Sequence, residues 1–462
     1  MKDRRGMVQT LNRKDISSSV LVSKVKKLED RIDCLDFFSQ FQNYEGQRYF
    51  WKDPNGQNTI VGIGICEKII CPRNEDRYEY AQVKWNDMLK NAVINNEYVQ
   101  SGIGPVLLGG FSFDPYKEKM NGWKDYSEGY FFIPSIMLSE VNGEQFVTTN
   151  ILLPKNKLKE AQIELEKKNA EYRESSRKNR KIITNKLEEL KELNVEQWKE
   201  AVYSVIKQLQ EQTDLKKIVL AREAQLTFKN NINVEQVLNN LIQQQKNGYI
   251  FALELEDRCF LGATPERLVK KEKNTVFSVC LAGSIQRGED LEEDRRLEQD
   301  LLHDPKNRSE HHFVVEMIKK AMNDVCEKVV IPDMPVVLKM RDIQHLFTPV
   351  TGKVKEKATL FSLIRLLHPT PALGGYPREQ ALAIIRDSEP LDRGLYGSPM
   401  GWLDYKGDGE FAVSIRSGLI EGRVANIFAG CGIVADSDVD MEYNETNIKF
   451  KPMISALGGN MK

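Results

Sequence analysis

Up to residue 153 the chain alternates short apolar runs with turn signals. Residues 49–51, 59–65, 106–113, 130–137 and 145–153 predict antiparallel strands, and Asp53-Pro54-Asn55-Gly56 supplies turn chemistry between the first two. Residues 155–195 change character. They are rich in Lys, Glu and Asn with widely spaced Leu and Ile, which predicts a solvated helix. From residue 196 the periodicity sharpens. Residues 196–212, 234–245, 309–325 and 358–367 repeat apolar positions at helical spacing, and His368-Pro369 stops the last of these. Residues 217–228, 249–255 and 276–281 read as strands. Residues 410–420 and 423–433 read as a hairpin around Glu421-Gly422, and a final helix begins near Val439. Strands interspersed with helices, without a regular βαβ rhythm, predict an α+β fold. The pattern divides the chain into an N-terminal part, 1–195, and a C-terminal part, 196–462, of one fold.

Composition narrows the function classes. A chain of 462 residues with 41% hydrophobic and 29% charged positions supports a large core under an ordinary surface. The 66 basic and 67 acidic residues nearly cancel, so no basic field exists to hold a nucleic acid. The longest apolar runs, 359–367 and 427–435, fall far short of the ~20 residues of a membrane span. The N-terminal MKDRRGMVQTLNRKD is basic but has no apolar stretch behind it, so no signal peptide is expected. Seven scattered cysteines form no CxxC pair, and five histidines complete no zinc pattern. Reduced thiols in a cytoplasm fit, and any metal should be a hard ion held by carboxylates.

Several clusters have residues suited to chemistry. Gly102-x-Gly104 with Gly109-Gly110 lacks the spacing of a phosphate loop and precedes an apolar run, so it reads as a strand and turn. Glu442, Glu445 and Lys449 share one helical face, either as surface ion pairs or as carboxylates for a divalent ion with a lysine for an anionic ligand. Just upstream, Gly430 and Gly432 let backbone approach an anion. Glu310 opens an amphipathic helix and is a second acidic candidate. Lys217 is either solvated beside Lys216 or desolvated and basic enough to accept a proton. Glu266 follows a proline turn, as a cap or as a general acid. His368 precedes a rigid Pro-Thr-Pro-Ala372 loop, and is as much a structural as a catalytic candidate. Tyr396 sits beside a glycine turn. Arg416 lies inside an apolar strand, where a guanidinium needs a carboxylate partner or a ligand.

In order, KIVLAR (217–222), FLGATPERL (260–268), LAGSIQRG (281–288), KNRSEHHFVV (306–315), HLFTPVTG (345–352), LHPTPALGGYP (367–377), DRGLYGSPMGW (392–402), FAVSIRSGLI (411–420) and FAGCGIVADSDVDMEYNETNIK (428–449) resemble the chorismate-utilising enzymes. Further upstream, LLGGFSFDP (107–115) is the best match. The resemblance implies a single large α+β domain of two β-sheets packed at a steep angle with helices outside. It implies Mg²⁺ bound by Glu310 and Glu445, supported by Glu442. Lys449, Arg416, Tyr396, Gly430 and Gly432 would hold the carboxylates of chorismate, with His368 and Ala372 beside the substrate. Lys217 would activate water and Glu266 would protonate the departing hydroxyl.

Within the family, aminodeoxychorismate synthases carry a nucleophilic lysine where this chain has Ala282. Anthranilate synthases carry glutamine where it has Lys217. Both anthranilate and salicylate synthases tend to have threonine where it has Ala372. The resemblance therefore implies an isochorismate synthase, whose product feeds menaquinone or catechol siderophores; the alternative is a salicylate synthase, which goes on to eliminate pyruvate. Two positions depart from the family: the turn Tyr396-Gly-Ser-Pro-Met-Gly401, and Asn307, where relatives are often acidic. Chorismate is the expected partner, with no nucleic acid or membrane, in a monomer or homodimer.

Overall fold

The computed structural model describes residues 19–73, 75–124, 126–175, 185–212, 214–341 and 343–459. The basic N-terminal segment read above lies outside them. Among the described residues, 21 strands join one hydrogen-bonded network. Its pairings are antiparallel except where Ser19–Lys27 meets Val93–Asn95. The long strand Gly129–Val141 is the branch point. One edge pairs along its length with Asn58–Cys71, and the other is shared by Val106–Phe111 and Glu144–Pro154.

Two limbs leave this branch. One runs from Asn58–Cys71 through Arg48–Lys52, Tyr249–Leu255, Arg258–Thr264, Ser417–Glu421 and Val424–Ile433 to Lys217–Phe228. The other runs from Val106–Phe111 through Pro399–Asp404, Gly409–Val413, Arg267–Glu272 and Thr275–Gln286 to Ile343–Val354. The fold is α+β, and strands from both sides of residue 195 join in each limb. The two sheets expected from the resemblance are thus two limbs of one network.

Helices cover the limbs with one apolar face each. Val195–Glu211 buries Trp198, Val202, Val205, Ile206 and Leu209, a stripe at helical spacing. Pro305–Val325 begins earlier than the apolar periodicity indicates, because the Asp304 carboxylate caps it and Pro305 fits its first turn. Val439–Ala456 is capped by Asp438. No helix among the described residues is long and apolar enough to cross a membrane. Gly102 and Gly104, both at φ 78°, form the turn before Val106–Phe111.

Two expectations need correction. The stretch read as one solvated helix, 155–195, contains the helix Ala161–Ser175 and then the strand Leu187–Glu192, while residues 176–184 lie outside the described ones. That strand is an edge against Lys217–Phe228. It carries its charges outward, so its lysines and glutamates imitate a helix surface. The strand read over 410–420 is broken between Gly409–Val413 and Ser417–Glu421. At the break Arg416 adopts φ 52°, and its carbonyl accepts from Ala263 N at 3.0 Å.

Candidate active site

A cavity of about 700 Å³ opens where the outer strands of the two limbs approach each other. Lys217–Phe228 and Val424–Ile433 form one wall, Thr275–Gln286 and Ile343–Val354 another. Helices Pro305–Val325 and Val439–Ala456 contribute side chains between them. Eleven of the twelve residues singled out from the sequence line it: Lys217, Glu266, Glu310, Ala372, Tyr396, Arg416, Gly430, Gly432, Glu442, Glu445 and Lys449.

Lys217 is buried, and its Nζ donates to Glu310 Oε1. The lysine passes directly over Gly432. A Cβ there would stand 2.4 Å from Lys217 Cε and 2.9 Å from Nζ, so a side chain would take the space the lysine occupies. Gly430 serves a neighbouring purpose. Its carbonyl accepts from Lys449 Nζ at 2.8 Å, and a Cβ would lie 3.3 Å from the Tyr396 hydroxyl. Tyr396 is itself stacked on Phe428, with ring centroids 5.5 Å apart.

Electrostatics divides the carboxyl groups. Glu266 is 5% exposed, and burial pushes its pKa up to about 8, against the opposing pull of Lys217 and Lys449. Burial also acts on Glu445, but the hydrogen bond and charge of Lys449 outweigh it and hold that carboxyl below the usual range. Burial, then the neighbouring Glu445 charge, raises Glu442. The cavity thus presents Glu266 and Glu442 biased toward protonation and Glu445 biased toward ionisation.

Glu310, Glu442 and Glu445 offer only oxygen, the donor chemistry of a hard divalent cation. Among the described residues no three His, Cys, Asp or Glu side chains gather at ligand spacing, and Glu310 and Glu445 each pair with a lysine. Glu442 differs. Ser437 Oγ donates to its Oε1 at 2.7 Å, while its Oε2 is buried with no hydrogen-bond partner. An orphaned carboxylate oxygen on this cavity is an uncompensated acceptor that a cation or its water would satisfy.

His368 is the residue that the fold directs elsewhere. It does not line the cavity; its ring packs edge-on to Phe113, and its Nε2 lies 3.2 Å from the Phe113 carbonyl. Burial holds the imidazole neutral. The sequence places it one residue before an active-site loop but gives no sign of which way it turns. Asn307 faces Ser284 N and the helix cap Asp304.

Two cavity residues escaped the sequence reading. His345 is buried on the wall, and burial, followed by Arg416 and Lys449, lowers its pKa to about 3. Its place in HLFTPVTG was the available signal. Arg393 is 3% exposed and paired with Glu389. It stands in DRGLYGSPMGW beside the Tyr396 already chosen.

Comparison with known proteins gives the relationship. A family profile described as "Chorismate binding enzyme" matches residues 7–458. Isochorismate synthase MenF of Bacillus subtilis is 44% identical over 458 residues, spanning 97% of this chain and 96% of the relative. The salicylate biosynthesis isochorismate synthase of Pseudomonas aeruginosa is 32% identical over 459 residues, spanning 98% and 93%. The solved structure of MenF, the menaquinone-specific isochorismate synthase from Escherichia coli, superposes with a TM-score of 0.79 at 23% identity, covering 95% of this chain and 94% of the other, a likeness of fold. With nearly its whole length matched, this chain belongs to the chorismate-binding enzyme family.

Proposed function

We propose that this protein is an isochorismate synthase, converting chorismate reversibly to isochorismate by addition of water at ring C2 and loss of the C4 hydroxyl. One observation carries the reading. A lysine, Lys217, and a carboxyl biased toward protonation, Glu266, line the same cavity, while Ala282 on its wall offers no nucleophile. That combination suits proton transfers to and from oxygen, not attack on the ring by the protein itself.

Lys217 takes a proton from water as the oxygen bonds to C2. The ring double bonds shift, the C4–O bond breaks, and Glu266 delivers its proton to the departing oxygen, which leaves as water. Lys217 then carries the proton that Glu266 has lost, and their exchange resets the site. Because substrate and product are isomers, the same groups serve the reverse direction with roles exchanged. Ala372 adds no hydroxyl near the ring, which suits stopping before pyruvate elimination.

The cofactor we assign is Mg²⁺, which Glu310 and Glu445 would hold with support from Glu442, whose buried Oε2 lacks a hydrogen-bond partner. When bound, it supplies positive charge that offsets the ring carboxylate and draws electron density toward it. Arg416, Tyr396 and the backbone at Gly430 and Gly432 would hold the enolpyruvyl carboxylate, and Lys449 would reach a carboxylate of the substrate. The enzyme works in the cytoplasm, as a monomer or homodimer, with its product passing to menaquinone or siderophore synthesis.

The test is turnover of chorismate by the purified protein with Mg²⁺. Isochorismate should form, cease on chelation and resume when Mg²⁺ is restored. Fluorescent salicylate appearing without an added lyase would contradict the reading.

A further inference from the structure

We propose that Arg393 and Glu389 form a positioning pair that holds the Lys217 strand in register with the loop and turn carrying Ala372 and Tyr396. The inference rests on the functional reading above, in which Lys217 must meet a substrate bound by the other walls.

The strand Lys217–Phe228 has a gap along one edge. Gly375–Tyr376 pairs with it at Ile218 and Lys217, and Val219 N donates to Gly374 O at 3.0 Å. Further along, Leu193 N donates to Glu223 O at 3.1 Å, leading into the Leu187–Glu192 ladder. Between these stretches the edge is completed by side chains. Arg393 Nη2 donates to Val219 O at 2.8 Å, and Ala221 N donates to Glu389 Oε1 at 2.7 Å. The ion pair takes the place of a missing partner strand, just beyond Lys217.

The same guanidinium reaches the loop that carries Ala372, and the Arg393 backbone ties in the turn that carries Tyr396. Its Nη1 donates to Leu373 O at 2.8 Å, next to Ala372. The Arg393 carbonyl accepts from Tyr396 N at 2.7 Å. Glu389 accepts from Arg393 Nε at 2.9 Å, and the guanidinium carbon lies 4.1 Å from the Phe113 ring centroid. Glu389 is 5% exposed. Buried this deeply, the pair is weak evidence for stability, since apolar replacements of such pairs are often neutral. Its directed hydrogen bonds fix the strand against the Leu373 loop, next to the turn that the Arg393 backbone holds.

Two variants test this. Arg393→Lys keeps the charge but loses the fork that spans Val219 and Leu373. Arg393→Met with Glu389→Leu removes both charges together. Each should fold and lower kcat by roughly 10- to 100-fold, the scale of a small misplacement of reacting groups. KM for chorismate should move far less, and the fall in rate expected as Glu266, raised to about 8 by burial, loses its proton should stay in place. Hydrogen exchange at Val219 and Ala221 should quicken while strands distant from the pair keep their protection. Unchanged kcat and exchange would overturn the proposal. So would a large rise in KM with kcat retained, which marks a substrate contact, or unfolding of both variants, which marks a purely structural pair. If the unmutated protein forms no isochorismate the functional reading fails, while the exchange result still decides whether the pair holds the strand.

Discussion

Lys217 Nζ donates to Glu310 Oε1 inside the cavity, joining the proposed base to a proposed metal ligand. Each group compensates the other's charge. With Lys217 as the base, truncating it leaves the attacking water without a proton acceptor. Lys217→Ala should therefore lower kcat by about 10²–10⁴-fold, the usual contribution of a general base, with a small change in KM. Steady-state kinetics decide, and full activity in the variant would remove Lys217 from the mechanism.

Burial raises Glu266 to about 8, so it is protonated below that pH and ionised above it. A general acid works only while protonated. The rate should hold through neutrality and fall as pH rises through about 8. Glu266→Gln should abolish turnover throughout. A kcat–pH profile whose decline lies in the ordinary carboxylate range would assign the acid elsewhere.

Gly432 is needed for the space above it. A Cβ would fall 2.4 Å from Lys217 Cε, so Gly432→Ala must displace the lysine or the strand. What must move is the far end of a flexible lysine, so we expect a loss of kcat with little loss of stability. Thermal melts and kinetics on one preparation test both, and wild-type activity in a stable variant would show that the lysine has another path.

His368 faces Phe113 instead of the cavity. His368→Ala should destabilise the protein by about 1–3 kcal/mol while leaving KM for chorismate within about twofold. A raised KM without loss of stability would return His368 to the substrate-binding set.

Much of the site was legible because chemistry and short-range pattern coincide there. Glu442, Glu445 and Lys449 occupy one helical face, and Gly430 and Gly432 sit on the strand just before it, so local spacing brings them together. What was illegible depends on long-range contact. The pairing of Lys217 with Glu310 joins residues 93 positions apart. Arg416 takes a left-handed conformation that an arginine does not announce. Leu187–Glu192 is a strand because Phe228 and its neighbours offer an edge, although its own charges suggest a solvated helix. His368 is drawn to a carbonyl 255 residues away.

Turnover in water enriched in ¹⁸O tests the central claim most directly. If solvent water adds at C2, mass spectrometry of the isochorismate formed will show one heavy oxygen in the ring hydroxyl. Unlabelled isochorismate, which would mean that the original hydroxyl migrates within the substrate, would contradict the account.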